Sequence, residues 1–163
     1  YTAKNLIAEG HVEKVLIFDL DVHQGDGTIN ICQGEPNIFT CSIHSESNFP
    51  FEKKQGWMDI AIPAGTKDEA YLDKLSQTLQ FIESSLTPDL VLFDAGIDVY
   101  TDDGLGNLEL SIEGIRKRDQ LVIEHFRSKN IPVATVIGGG YSKNTPELAY
   151  RHGLIFESAI NYL

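Results

Sequence analysis

Three side chains that commonly bind metal ions occur at alternate positions near residue 20. Asp19, Asp21 and His23 directly follow an apolar run at residues 15–18. Residues two apart on an extended chain point to the same side, and a carboxylate beside an imidazole is a ligand pair for a divalent metal. Strand-end aspartates also cap helices or close turns. Three polar groups on one face of a buried strand are nevertheless costly unless something binds them, so the pattern favours a metal site.

The elements around this stretch predict a parallel α/β fold. Short apolar runs typical of buried strands alternate with amphipathic, helical patterns. The predicted strands are residues 15–18, 38–44, 58–62, 90–94 and 133–137, and the predicted helices are residues 1–9, 28–33, 66–87, 111–129 and a last one from residue 145. Strands that alternate with helices form right-handed βαβ units. We therefore predict a single three-layer α/β/α domain with a parallel sheet.

Several finer features follow from the same patterns. Thr66 begins a capping-box spacing, Ser111 is a helix cap, and Thr145 before a proline has the spacing of a cap. The last predicted strand, residues 133–137, is apolar enough to be buried, and in the last helix Phe156 is predicted to face the core.

Composition limits the classes of function. The chain has 163 residues, 42% hydrophobic and 23% charged, which fits one globular domain. Its net charge of −11 opposes binding to nucleic acid, and no apolar run is long enough to span a membrane. Cys32 and Cys41 show neither metal spacing nor a disulfide framework, which favours a cytoplasmic location. The chain starts within a predicted helix without an initiator Met, as expected of a fragment.

Two further strand ends carry polar or glycine-rich segments. Asp94 and Asp98 follow one predicted strand, and three glycines with Tyr141 follow another. The carboxyl ends of parallel strands lie along one edge of the sheet, where ligands bind. Asp98 is therefore a candidate third metal ligand. An Asp-His-Asp set with an open position is typical of catalytic zinc, which polarises a carbonyl and activates a water molecule.

Tyr141 has two interpretations. Its hydroxyl, placed after three glycines, could stabilise a developing oxyanion. It could equally be a half-buried loop tyrosine, with the glycines serving only close packing of a helix on a strand. Spacing alone does not choose between these roles.

These motifs together resemble the zinc-dependent histone deacetylase and acetylpolyamine amidohydrolase superfamily, most closely its bacterial and class IV branch. The matching segments are residues 19–28 (DLDVHQGDGT), 39–44 (FTCSIH), 94–98 (DAGID) followed by 103–106 (DGLG), and 138–142 (GGGYS). They occur in family order and cover the chain from about residue 15 onward. The resemblance implies an arginase/deacetylase-like fold that lacks the N-terminal part of the family domain.

The resemblance also implies a role for individual residues. Zinc would be bound by Asp21, His23 and Asp98, and Tyr141 would donate a hydrogen bond in the transition state. Gly139 would line the acyl-lysine channel. A structural potassium ion would be held by the side chains of Asp19 and Ser42 and by the backbone carbonyls of Asp21, His23 and Ile43. No role follows for Asp103 beyond a hydrogen bond that fixes its loop.

Two departures from related families affect the expected chemistry. Binuclear arginase-type enzymes carry extra aspartates at positions that are Gly25 and Tyr100 here, which favours a single zinc ion. The deacetylase family uses a tandem histidine pair as general base and acid. The five histidines of this chain are His11, His23, His44, His125 and His152, and none is adjacent to another. We expect His44 to pack near the site and His11, His125 and His152 to lie at the surface.

Two classes of function therefore remain open. The first is a deacylase acting on acetyl-lysine in proteins or on small acetylated amines, of which this chain is the C-terminal part. The second is a non-catalytic metal-binding remnant or assembly module. In either case the absent strands should leave a bare sheet edge, so we expect the chain to associate with itself or with the missing N-terminal half.

Overall fold

The computed structural model describes residues 1–162, in which five strands alternate with five α-helices before a short 3₁₀ helix. The strands are β1 Val15–Asp19, β2 Ile38–Ser45, β3 Met58–Ile62, β4 Leu90–Asp94 and β5 Val133–Val136. The helices are α1 Thr2–Ala8, α2 Asp26–Cys32, α3 Asp68–Ser85, α4 Ile112–Arg127 and α5 Thr145–Ala159, followed by the 3₁₀ helix Ile160–Tyr162. Each predicted strand and helix is present, with shifted ends.

The strands form one parallel sheet in the order β3-β2-β1-β4-β5. β1 lies at the centre, where Asp19 pairs with Ser42 of β2 on one side and with Asp94 of β4 on the other. All strands run the same way, so their carboxyl ends share one edge. The predicted parallel α/β fold is confirmed.

Both faces of the central strands are covered, which explains why β1 is apolar throughout. Leu16 and Phe18 belong to the large core formed with α3, α4 and α5. Val15 and Ile17 point the opposite way, into a smaller cluster with Ala3 of α1. Alternate residues of a strand face opposite sides of its sheet, so the helices form two layers around the strands. Of the helices in residues 1–162, none has the length and apolar character needed to cross a bilayer.

The helix starts only partly follow the sequence prediction. Ser111 caps α4, accepting a hydrogen bond from the Gly114 amide at 3.0 Å. Thr66 caps no helix, because its hydroxyl donates instead to the Pro63 carbonyl at 2.6 Å and α3 begins two residues later. Asp68, the first residue of α3, accepts from the amide and the hydroxyl of Ser111 at 2.8 and 2.6 Å. A contact between two helix starts thus replaces the predicted capping box.

The start of α5 also differs from the prediction. Asn144, not Thr145, is the capping residue, and its side chain accepts from the Glu147 amide at 3.3 Å. Thr145 is the first helical residue and is followed by a proline in the first turn.

The prediction of a buried β5 and an inward-facing Phe156 is wrong. Val136 is 59% exposed and Phe156 is 63% exposed, and Ile137 and Ile160 are exposed to a similar extent. β5 is the edge strand, so within residues 1–162 it pairs with β4 alone. We call these four residues the β5–α5 apolar surface.

The aromatic core under the sheet predicts a large mutational effect. Phe93 is buried, with its ring 6.2 Å from that of Phe18. Phe93→Ala should lower the free energy of unfolding by about 3–5 kcal/mol through lost burial and a residual cavity. Phe51→Ala is the control, since Phe51 is 92% exposed, and it should change stability by less than about 0.5 kcal/mol. Urea unfolding measures both, and equal shifts would contradict this description of the core.

Candidate metal centre

The site is built on the ends of the two central strands. Asp19 and Asp94 are the last residues of β1 and β4 and lie side by side in register. The Leu20 amide then donates to the Asp94 carbonyl at 3.1 Å, which continues the pairing one step beyond the strands. The two segments that follow therefore leave the sheet together, one towards Asp21 and the other towards Asp98.

Asp21, His23 and Asp98 meet above these strand ends. Each offers one ligand atom, and the three atoms lie within 4.8 Å of one another. Nδ1 of His23 is 2.9 Å from Oδ1 of Asp21 and 3.1 Å from Oδ2 of Asp98. Among the described residues this is the single group of three such side chains close enough to share an ion.

The backbone holds the free oxygens of both carboxylates. Oδ1 of Asp98, a fully buried side chain, accepts from the Val22 amide at 2.8 Å. Oδ2 of Asp21 accepts from the Gly139 amide at 2.8 Å. Gly139 leaves no room for a side chain, since a Cβ there would overlap the carboxylates of Asp98 and Asp21. Each carboxylate is thus oriented by a neighbouring segment.

The electrostatics of the group favour a cation. The hydrogen bond with Asp98 raises the pKa of His23 to about 9. Burial raises the pKa of Asp98, and burial followed by the charge of Asp21 raises that of Asp94 to about 6. Burial and the charge of Asp94 raise the pKa of Asp19 well above its usual value. Four carboxylates at one sheet edge therefore gain from any positive charge placed among them.

A buried arginine supports these segments from below. Nη1 of Arg118, on α4, donates to the carbonyls of Gly96 at 2.5 Å and Leu20 at 3.3 Å, and Nη2 donates to that of Ala95 at 3.3 Å. Nε and Nη2 of Arg118 also lie 2.9 and 2.8 Å from Oδ1 of Asp119. The guanidinium, fully buried, therefore joins the segment before Asp21 to the segment before Asp98.

Sequence reasoning missed Arg118, although a signal was present. It lies three residues after Ile115 and four before Val122, two residues expected to face inward. Residues at this spacing share a helix face. The position was therefore on the buried face, where an arginine requires buried hydrogen-bond partners.

Tyr141 lies beside the metal group at the mouth of a cavity. Its ring centroid is 6.2 Å from that of His23, with the two rings nearly perpendicular. The cavity is lined by His23, Asn48, Phe49, Leu105 and Tyr141. Partial burial, then the charge of Asp21, raises the pKa of the Tyr141 phenol, so the hydroxyl stays protonated at neutral pH. The geometry allows Tyr141 to donate a hydrogen bond to a molecule bound in this cavity.

Two loops meet at the rim of this cavity. Asn48, in the β2–β3 loop at residues 46–57, donates to the Leu105 carbonyl at 2.9 Å. Asn107 donates back to the Ser47 hydroxyl at 3.1 Å. Both partners of the second contact belong to loops, and the sequence signal for them went no further than the prediction of an ordered loop near the site.

The other histidines lie away from this cavity. His44 is buried within β2, where Nδ1 is 3.0 Å from the Ser42 hydroxyl, and burial lowers its pKa to about 4. His125 is half-buried against the Phe126 ring. The predicted surface position of His152 is wrong: it is partly buried, with Nε2 3.0 Å from where a Cβ on Gly140 would lie.

The residues proposed for potassium and for a second metal have defined surroundings. Asp19 accepts from the Asp21 amide at 3.0 Å and pairs in register with Ser42, whose neighbour in β2 is Ile43. A Cβ on Gly25 would overlap the Asp19 carboxylate, and the Tyr100 ring lies 4.4 Å from the Arg151 guanidinium. The potassium role and the absence of a second metal stay predictions.

Comparisons with known proteins agree with this fold. A family model described as the histone deacetylase domain matches residues 1–154. An uncharacterised protein of Picosynechococcus is 45% identical over 150 residues, which cover 92% of this chain and 50% of that protein. Histone deacetylase 2 of Arabidopsis thaliana is 32% identical over 137 residues, covering 82% of this chain and 35% of that enzyme.

Solved structures show the same architecture. An acetylpolyamine aminohydrolase from Burkholderia pseudomallei superposes with a TM-score of 0.81 at 21% identity, covering 96% of this chain and 47% of that one. A histone deacetylase homologue from Aquifex aeolicus gives a TM-score of 0.78 at 24% identity, covering 96% of this chain and 44% of that one. The chain spans half or less of the length of each of these proteins.

The sheet and the Asp-His-Asp group define a parallel α/β protein with a candidate centre for one metal ion. More specifically, the chain belongs to the histone deacetylase family. The resemblance found in its motifs is thereby confirmed.

The buried guanidinium predicts a stability effect. Arg118→Met should lower the free energy of unfolding by about 3–5 kcal/mol, because it leaves Asp119 without its charged partner in the interior. Arg116→Met is a matched control on the same helix. Arg116 pairs with Glu157 at 2.9 Å near the surface, and its loss should cost about 1 kcal/mol or less. Urea midpoints report both, and comparable losses would show that Arg118 is not structurally distinct.

Proposed function

We propose that this chain is the metal-binding part of a deacetylase that hydrolyses acetylated amines. The observation that carries the proposal is the convergence of Asp21, His23 and Asp98 beside Tyr141 at one cavity. Membership of the histone deacetylase family supports deacetylation as the class of reaction. Because the chain spans half or less of its relatives, the activity is proposed for the complete domain.

The ligand set fits a single zinc ion. Zinc binds imidazole nitrogen and carboxylate oxygen, and catalytic sites use three protein ligands and leave one position open. Asp21, His23 and Asp98 supply such a set, with their remaining carboxylate oxygens oriented by backbone amides. His23 Nδ1 lies between two carboxylate oxygens, where its own proton now offsets their charge. An ion of charge +2 would offset that charge more fully.

The residues of this chain would divide the work as follows. Bound zinc would polarise the amide carbonyl and lower the pKa of a water molecule. Asp21, His23 and Asp98 would hold it, and Tyr141, protonated at neutral pH, would donate a hydrogen bond to the carbonyl oxygen as negative charge develops there. Phe49 and Leu105 border the cavity and would contact the alkyl part of the substrate. Gly139 is proposed to line the same channel.

The proton transfers would need a group from outside this chain. Hydrolysis requires a base for the water and an acid for the departing amine. His44 is a poor candidate, because it is buried in β2 and hydrogen-bonded to Ser42. We propose that the N-terminal portion of a complete domain supplies both groups and covers the β5–α5 apolar surface. Self-association through the same surface is the alternative.

A structural potassium ion is proposed beside the zinc. Asp19 and Ser42 face each other across β1 and β2, and the backbone of Ile43 follows. Within residues 1–162 no lysine or arginine forms an ion pair with Asp19. A monovalent cation held by these oxygens would offset a carboxylate that is otherwise uncompensated.

The remaining assignments follow from charge and composition. A net charge of −11 fits an acetylated protein or small amine better than nucleic acid as the substrate. We propose a cytoplasmic location because the two cysteines are unpaired. A non-catalytic metal-binding module is the second candidate function, favoured by the absence of adjacent histidines in the sequence.

The metal assignment predicts a specific stoichiometry. The purified chain should bind one zinc ion, and His23→Ala should remove most of it, since the substitution deletes one of three ligands. His125→Ala is the control and should retain the ion, because His125 packs against Phe126 on α4. Elemental analysis after dialysis measures all three. Equal zinc in wild type and His23→Ala, or two ions per chain, would disprove the assignment.

The catalytic assignment is tested by hydrolysis of a fluorogenic acetyl-lysine peptide. The chain alone should be slower by about 10²–10⁴-fold than the chain supplied with the N-terminal segment of the domain, because it lacks the acid and base. In the complemented protein, Tyr141→Phe should lower kcat by about 10²–10³-fold with little change in KM. Tyr150→Phe, on the exposed side of α5, should leave kcat unchanged.

Each outcome of this assay discriminates between the candidate functions. Zinc binding without hydrolysis in the complemented protein would favour the non-catalytic module. Full turnover by the chain alone would show that one of its own residues is the base. An unchanged kcat in Tyr141→Phe would return Tyr141 to a structural role.

A further inference from the structure

The backbone of Tyr141 is held by two neighbouring residues of the β4–α4 loop, residues 95–111. The Tyr141 amide donates to Oδ2 of Asp103 at 2.7 Å. The Tyr141 carbonyl accepts from the Gly104 amide at 2.9 Å. A Cβ on Gly104 would lie 3.1 Å from this carbonyl oxygen, so the two segments are in close contact. Both polar groups of the Tyr141 main chain are thus bound to this loop.

Asp103 is itself fixed within its loop. Its other oxygen, Oδ1, accepts from the amides of Leu105 and Gly106 at 2.9 and 3.0 Å. The Asp103 amide donates to the Tyr100 carbonyl at 3.0 Å. Hydrogen bonds to a carboxylate are shorter and stronger than those between neutral groups. The carboxylate therefore presents Oδ2 to Tyr141 in one orientation.

The same loop carries a metal ligand. Asp98 precedes Asp103 by five residues, and Gly106 packs so closely on the Asp98 carbonyl that a Cβ there would overlap it. The Ile97 amide also donates to the Gly139 carbonyl at 2.7 Å, two residues before Tyr141. The distance between Tyr141 and the metal group is thus set through the β4–α4 loop.

We propose that Asp103 is a positioning residue that holds Tyr141 over the metal group through its main chain. The inference rests on the proposed function, in which the Tyr141 hydroxyl stabilises the transition state. A donor of that kind must lie at a defined place relative to the reacting carbonyl. Tyr141 follows three glycines, which impose little restriction on the backbone, so the bond from Asp103 supplies the restriction that these glycines do not.

The test uses Asp103→Asn, which separates this bond from the fold of the loop. The retained amide oxygen can still accept from Leu105 and Gly106, while the new NH₂ group faces the Tyr141 amide, and two donors cannot bond. Asp102→Asn is the matched control. Asp102 is the exposed neighbour and, within residues 1–162, its side chain forms no hydrogen bond or ion pair. Both variants remove one negative charge from adjacent positions.

The first readout is independent of activity. The chain has six tyrosines, so ¹⁵N-tyrosine labelling gives few amide signals, and Tyr141→Phe identifies that of residue 141. Asp103→Asn should speed hydrogen exchange of this amide by roughly 10–100-fold, as expected when a bond to a charged acceptor is lost. Asp102→Asn should leave the rate unchanged. Unchanged exchange in Asp103→Asn would overturn the inference, whatever the activity.

The second readout is catalysis by the complemented protein. Asp103→Asn should lower kcat by about 10–100-fold while KM and zinc content change little, since a misplacement of about 1 Å has effects of this size. In a Tyr141→Phe background the same substitution should have little further effect, because the group it positions has gone. Additive losses in the double variant would contradict the inference.

Failure of the proposed function gives a different result. A wild-type protein that binds zinc but hydrolyses no acetylated amine would refute that function, while faster Tyr141 exchange in Asp103→Asn would still establish the positioning contact. Asp103→Ala serves as the second variant if Asp103→Asn changes thermal unfolding. Its Tyr141 amide should exchange at least as fast.

Discussion

The register between β1 and β4 is the constraint on which the site depends. Asp19 lies opposite Asp94 at the point where both strands end. The turns that follow therefore start side by side, and Asp21 and Asp98 come within reach of the same ion although 77 positions separate them in the chain. A slip of one residue in such a pairing turns every side chain to the opposite face. The ligand set thus requires this one alignment.

The alignment has an electrostatic cost. It brings four carboxylates to one edge of the sheet, where burial raises the pKa values of Asp19, Asp94 and Asp98. Arg118 offsets part of this cost from beneath the sheet edge, since it binds the carbonyls that precede Asp21 and Asp98. The remaining negative charge faces the cavity. The fold therefore directs a cation to the side where a substrate would enter.

Polar contacts between loops then set the geometry around the ion. The β4–α4 loop contacts the segment after β5 through Asp103 and Tyr141, and it contacts the β2–β3 loop through Leu105 and Asn48. None of these four side chains lies on a strand or helix. Their positions are accurate because each is bonded to backbone that a neighbouring strand end already orients. The chemistry of the site therefore depends on one loop that contacts both others.

The sequence by itself determined the element order, the parallel sheet and the types of metal ligand, because apolar runs and strand-end aspartates are local signals. It also determined the Ser111 cap, which needs only the residues of one helix turn. Tertiary structure decided which strand was left at the edge, and so the exposure of Val136 and Phe156. It decided that Arg118 is buried, since its acceptors come from two distant strands. The partner of Tyr141 was decided in the same way, because a hydrogen bond between loops leaves no periodic pattern in the chain.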